Sequence, residues 1–252
     1  MGLDANLFAC NPARDERFTV KDRWIECANL PGEHPLHLVE FFHRQMNEEI
    51  NSLESSAQNL TDFPETDWEL RMWLARQCAD EARHARMFRR MLEERGGHIG
   101  QFPVLNFQYR IITACENLAG RLAVQNRSFE AGGIDAIAFG IRESKVQRDA
   151  ELAELYEAQL ADEITHVRFA NDWIKASVQK DPKTVLRIGA ALTAASKAFH
   201  QVMGPEGTEG ASYPADGAAR REAGFSDAEV GLAVQLQTNA AGASPADTLR
   251  RG

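Results

Sequence analysis

Apolar positions recur along this chain at intervals of three and four, and period-2 alternation is scarce, so the pattern predicts an all-α protein. The first stripe is Val39, Phe42, Met46, Glu49, Leu53, Ala57 and Leu60, at near-heptad spacing. It predicts a helix that starts near Pro35, a good first-turn residue, and ends before Pro64. The second stripe, Leu74, Cys78, Glu81, Ala85, Phe88 and Leu92, predicts a helix over 66–95 that stops at Gly96-Gly97. A crossover over 96–106 follows. The third stripe, Ile111, Cys115, Leu118, Leu122, Asn126 and Glu130, predicts a helix over 107–131 interrupted by Gly132-Gly133. The fourth, Leu152, Tyr156, Leu160, Glu163, Val167, Ala170 and Ile174, predicts a helix over 146–179. Beyond Asp181-Pro182 an Ala-rich segment over 184–203 reads as a fifth helix, 204–217 as a loop and 227–237 as a last short helix.

These elements divide the chain into four parts. Residues 1–34 form an irregular arm that packs on the main body through Phe8, Phe18, Trp24 and Ile25. Residues 35–181 form a four-helix bundle, and 182–238 a helical C-terminal extension. Residues 239–252, rich in Ala, Gly, Ser and Pro, are expected to be disordered. With 252 residues, 44% of them hydrophobic, the chain has ample material for one large core. A net charge of −9 argues against a domain-wide nucleic-acid footprint. The arginines of the second helix, Arg71, Arg76, Arg83, Arg86, Arg89, Arg90 and Arg95, read as a solvated face neutralised by nearby acids. No apolar run reaches the roughly 18 residues that would span a bilayer. The N-terminal residues carry acids rather than the apolar segment of a signal peptide, so no membrane partner and a cytoplasmic location are expected. Cys10, Cys27, Cys78 and Cys115 lie far apart with no CxxC, which argues against a zinc ribbon or redox pair. His34, His37, His43 and His98 show no partner spacing and are expected at the surface.

The chemistry lies in the acids that interrupt the stripes. Each of the four main helices carries one glutamate on its apolar face, and a carboxylate in a core is costly unless paired or bound to a metal. Two of them are followed by a histidine, in Glu81-Ala82-Arg83-His84 and Glu163-Ile164-Thr165-His166. A spacing of three turns a helix by about 300°, so both side chains lie on one face and reach one ion. The surroundings repeat: Asp80-Glu81-x-x-His84-x-Arg86 matches Asp162-Glu163-x-x-His166-x-Arg168. Glu49 precedes Glu81 by 32 residues, and Glu130 precedes Glu163 by 33. Glu49, Glu81, His84, Glu130, Glu163 and His166 are thus the expected metal ligands, the donor set of dinuclear carboxylate bundles. Glu49 is preferred to Glu48 and Glu54 because Phe42, Met46 and Leu53 flank it. Glu130 is preferred to Glu116, which reads as an acid at the end of the core. Tyr156, seven residues before Glu163, faces the same side as a candidate proton donor or as a core residue. No catalytic residue beyond the ligands is expected.

The segments FFHRQMNEEINSLESSAQNLTDFP, ADEARHARMFRRMLEERGG, FEAGGIDA and ADEITHVRFANDWI resemble an uncharacterised bacterial family of the ferritin-like superfamily. The resemblance runs from about Leu36 to Ile174, with a weaker echo at ARREAGF. It implies a ferritin-like four-helix bundle with a long crossover between its second and third helices, holding two metal ions. It also implies that Glu81 and Glu163 bridge the ions, that Glu49 and Glu130 are terminal, and that His84 and His166 each bind one ion. Asp80 and Asp162 would orient the histidine on the opposite helix, with ion pairs to Arg86 and Arg168 as the alternative.

Mixed carboxylate and imidazole ligation suits a di-iron centre, with Mn/Fe or Mn/Mn as alternatives. The expected activity is a non-haem di-iron oxygenase or oxidase that uses O₂ on a small organic substrate. A reductase or ferredoxin would donate electrons, and a homodimer is compatible with the appended segments. The alternatives are a ferroxidase that handles iron and a non-enzymatic interaction bundle.

Overall fold

A computed structural model describes residues 15–208 and 213–242. Phe8 and Cys10 of the expected arm, and residues 243–252 of the expected tail, lie outside the described residues. The protein is predominantly helical. Among the described residues, no helix is long and apolar enough to cross a membrane. The chain sorts into two compact units, Met1–Gln125 with Ile174–Thr208, and Asn126–Trp173 with Glu209–Gly252.

The first unit is built around two helices, α1 (His37–Asp62) and α2 (Trp68–Glu94). Asp67 caps α2, its side chain accepting from the Leu70 N–H at 3.0 Å. Buried Val39, Phe42 and Met46 of α1 and Leu74, Phe88, Met91 and Leu92 of α2 form the core, with the Phe42 and Phe88 rings 6.3 Å apart. At Gly96-Gly97 the chain stops α2 as the sequence predicts. Gly96 has φ +75° and its N–H donates to Glu93 O, while the Gly97 N–H donates to Leu92 O. A Cβ on Gly97 would lie 2.6 Å from Val39 Cγ1, so only glycine lets the chain leave so close to α1.

Two short parallel strands, β1 (Val20–Lys21) and β2 (Val104–Leu105), pair Val20 with Val104, a feature too brief for any alternation signal. Asn47 and Asn51 of α1 both donate to Leu105 O, at 2.8 and 3.2 Å, which fastens β2 to α1. The described part of the arm, residues 15–34, therefore carries a strand paired with β2. Trp24 opens a 3₁₀ turn (Trp24–Glu26) and its ring lies against Gly207, but Ile25 is 65% exposed and does not anchor it. His43, expected at the surface, is buried.

The expected third helix is not continuous. It is α3 (Phe107–Thr113), a break, α4 (Leu118–Val124), a π-helical stretch (Gln125–Glu130) and α5 (Ala131–Gln147). Asn117 caps α4 by accepting from the Gly120 N–H at 2.8 Å. Gly132-Gly133 does not interrupt α5. The break comes later, at Arg148, with φ +62°. Helix α6 (Ala150–Lys180) follows, then α7 (Thr184–Thr208), which passes through a non-helical Gly204 at φ +64°. Within the first unit α7 packs on α3, α4 and the 3₁₀ turn, and its Ala191 sits where a Cβ on Gly120 would come within 2.8 Å.

The second unit joins α5, α6 as far as Trp173, α8 (Gly217–Glu222) and α9 (Asp227–Gly242). Residues 239–242 of the expected tail belong to α9. Ile134, Ile164, Val167, Ala219 and Ala223 form its core, with Leu160 and Phe225 against it. Arg220 clasps the buried Asp135, Nε donating to Oδ1 at 3.0 Å and to Oδ2 at 3.2 Å and Nη2 to Oδ2 at 2.6 Å. Asn171 donates to Ala223 O at 2.7 Å.

Candidate metal centre

The first unit gathers Glu49 from α1 with Glu81 and His84 from α2, all buried. Glu81 and His84 share a face of α2, and the short turn between α1 and α2 brings Glu49 alongside them. His84 Nδ1 lies 3.1 Å from Glu81 Oε2 and 3.4 Å from Glu49 Oε2. One ligand atom from each of the three lies within 4.8 Å of the others. Donors about 2.1 Å from a shared ion stand about 3.0 Å apart in octahedral and about 3.4 Å apart in tetrahedral geometry. The two distances from His84 therefore suit donors around one cation. A cation is also the kind of partner that makes burial of two carboxylates affordable.

The second unit repeats the arrangement. Glu130 ends the π-helical stretch, and Glu163 and His166 lie on α6, all three buried, with one ligand atom from each within 4.8 Å of the others. His166 Nδ1 lies 3.6 Å from Glu163 Oε2. Asn126 donates to Glu130 Oε2 at 2.7 Å and to His166 O at 3.3 Å, which ties Glu130 to α6, the helix that carries the histidine. A π turn is rare in a helix and recurs at functional sites. Here it carries both Asn126 and Glu130.

The other candidate acids are not members of either triad. Glu116 is exposed in the break before α4. Glu48 is half-buried and lies 3.7 Å from Arg44. Asp80 pairs with Arg76 at 3.3 Å and with Arg83 at 3.1 Å, so its arginine partners are not the expected Arg86. Asp162 is half-buried on α6, and Arg168 pairs with Glu222 at 3.4 Å. Tyr156 is buried with its ring against Gly140, where a Cβ would come within 2.8 Å of Cε2, so the missing side chain of α5 makes room for the ring.

The stripes did not reveal the polar groups that hold the acids. Ser52 Oγ donates to Glu81 Oε1 at 2.8 Å and Gln77 Nε2 to the same oxygen at 3.4 Å. A signal for Gln77 exists, because the repeat extends to Gln77-x-Ala79-Asp80-Glu81 and Gln159-x-Ala161-Asp162-Glu163, and both glutamines are buried. Ser52 and Asn126 carry no such signal.

No curated protein and no solved structure matches this chain. A family model described as protein of unknown function, DUF455, matches residues 4–231. That match covers most of the chain, and the protein belongs to the DUF455 family.

Proposed function

We propose that this protein is a ferritin-like dinuclear-metal oxidoreductase, a di-iron oxygenase or oxidase that uses O₂ to oxidise a small organic substrate. In this reading α1, α2, the run from α4 into α5, and α6 are the four helices of the bundle. The two triads, Glu49, Glu81 and His84 with Glu130, Glu163 and His166, would hold the two ions. The observation that carries the reading is the same buried triad of two acids and an imidazole, built twice from a repeated sequence. Four carboxylates balance two divalent ions, and mixed oxygen and nitrogen donors favour iron or manganese. A bound iron pair would supply the electrons and Lewis acidity for O₂ activation. The chain's own part is to hold the donors in place and keep bulk water out. Gln77 and Phe88, one turn to either side of the Glu81–His84 pair, are fully buried.

Protein produced in iron-replete cells tests the reading by metal analysis, followed by anaerobic reduction and measurement of O₂ uptake. About two ions per chain and O₂ consumption are expected. An absence of bound metal sinks the metal centre. Two ions with no reaction toward O₂ sink the oxidoreductase. Iron loading far beyond two ions in a large hollow assembly favours storage instead.

A further inference from the structure

Helix α1 carries Asn47, Asn51, Ser52, Ser55, Ser56 and Asn59 at buried or half-buried positions. Polar groups inside a fold need partners, and those of Asn59, Ser56 and Ser52 belong to a directed chain that ends on Glu81. It begins at Arg121, which is buried and can only donate. Arg121 donates through Nε to Cys115 O at 2.9 Å and through Nη2 to Thr113 O at 3.0 Å, and pairs through Nη1 with Asp62 at 2.7 Å. Nη1 also donates to Asn59 Oδ1 at 3.2 Å. Because the guanidinium has no acceptor, the atom of Asn59 that faces it is the oxygen, and Asn59 Nδ2 is left to donate to Gln125 Oε1 at 3.3 Å. That sets the Gln125 amide, whose Nε2 donates to Ser56 Oγ at 2.9 Å and lies 3.3 Å from both the hydroxyl and the carbonyl oxygen of Ser52, which share its second proton. With its oxygen accepting from Gln125, the Ser52 hydroxyl turns its single proton to Glu81 Oε1, 2.8 Å away. Each orientation follows from the one before it, and the direction runs from an obligate donor to a carboxylate.

We propose that Ser52, oriented by Gln125, is a positioning residue for the first metal triad. It holds Glu81 through Oε1, which fixes the carboxylate with Oε2 3.1 Å from His84 Nδ1. The inference rests on the metal reading of the triad. The serine's position is not repeated in the second half. Ser52 follows Glu49 by three residues, and the residue that follows Glu130 by three is Gly133, which has no hydroxyl to offer.

The test is a Co²⁺ titration of the metal-stripped full chain, read by the visible absorption of bound cobalt, for wild type, Ser52→Ala, Ser52→Thr and Gln125→Leu. Circular dichroism of each metal-free form checks that it folds. Ser52→Ala is expected to weaken Co²⁺ binding 10- to 100-fold and to change the cobalt spectrum. Ser52→Thr keeps the hydroxyl and is expected to stay within a few-fold of wild type. Gln125→Leu frees the Ser52 proton and is expected to move affinity in the same direction as Ser52→Ala. It carries the test if Ser52→Ala does not fold. A role in packing alone would lower the melting temperature and leave affinity and spectrum unchanged, and that result overturns the proposal while the metal centre stands. Wild-type protein that binds no Co²⁺ overturns the metal reading and this inference with it.

Discussion

The His43 ring stands between Phe18 and Phe102, with centroids 5.7 and 5.8 Å away, and its Nε2 accepts from the Gly100 N–H at 2.9 Å. Burial, with the charge of His98 as the smaller cause, lowers its pKa from 6.5 to about 4. The unfolded chain therefore binds a proton that the native state refuses between those values. The stability that His43 contributes is fully present above pH 6.5 and is lost as the pH falls toward 4. His43→Gln keeps an acceptor for Gly100 and removes the titration. Between pH 6.5 and 4, wild type is expected to lose up to roughly 3 kcal/mol more than this variant in urea unfolding. Equal losses would show that His43 does not titrate this way. The pattern of apolar residues gave no hint of this burial, because His43 is enclosed by Phe18 and Phe102, far away in sequence. Glu49, Glu81 and Glu163 were readable because each interrupts a stripe on its own helix. At those positions, Glu81→Ala or Glu163→Ala is expected to remove most of the bound metal by elemental analysis, and full stoichiometry in both variants would sink the ligand assignment.

Local signals and tertiary contacts compete within single elements, and the third helix shows both outcomes. Asp67 and Gly96-Gly97 bound α2 by short-range chemistry, so its ends were legible to within about two residues. The break at 114–117 was not, since Ala114, Cys115 and Glu116 do not forbid a helix. What holds it open is Arg121, which takes up the freed carbonyls of Thr113 and Cys115 from inside the core. Arg121→Met removes that donor and leaves two carbonyls and Asp62 without it. A loss of roughly 3–5 kcal/mol is expected by denaturant unfolding, and a loss below about 1 kcal/mol would show that the break holds itself. Gly132 and Gly133 fail in the other direction. Their weak helix propensity suggested a break, but packing on either side carries α5 through them. A Cβ on Gly132 meets nothing within 4 Å. Gly132→Ala is therefore expected to stabilise the protein by about 0.5–1 kcal/mol, visible as a higher melting temperature.

At the scale of the whole molecule, the all-helical character was legible from periodicity, whereas the long-range fastenings were not. Asp135 and Arg220 lie 85 residues apart, and neither carries a local sign of its partner. Each unit buries two carboxylates beside an imidazole, and without cations these acids stand in surroundings that solvate charge poorly. An ion held by the triads binds the native state and finds no such arrangement in the unfolded chain. Its binding free energy is then added to the stability of the fold, about 2.7 kcal/mol when free metal stands at 100 times its dissociation constant. Removing the ions with a chelator is expected to lower the melting temperature by several degrees, and returning Fe²⁺ or Mn²⁺ to restore it. The gain should grow with metal concentration, as mass action requires, and should shrink in Glu81→Ala. Calorimetry on verified metal-free and metal-loaded protein decides the matter. If the two forms melt together at every metal concentration, the triads hold no ion that matters to the fold, and the buried acids must be balanced by protons instead.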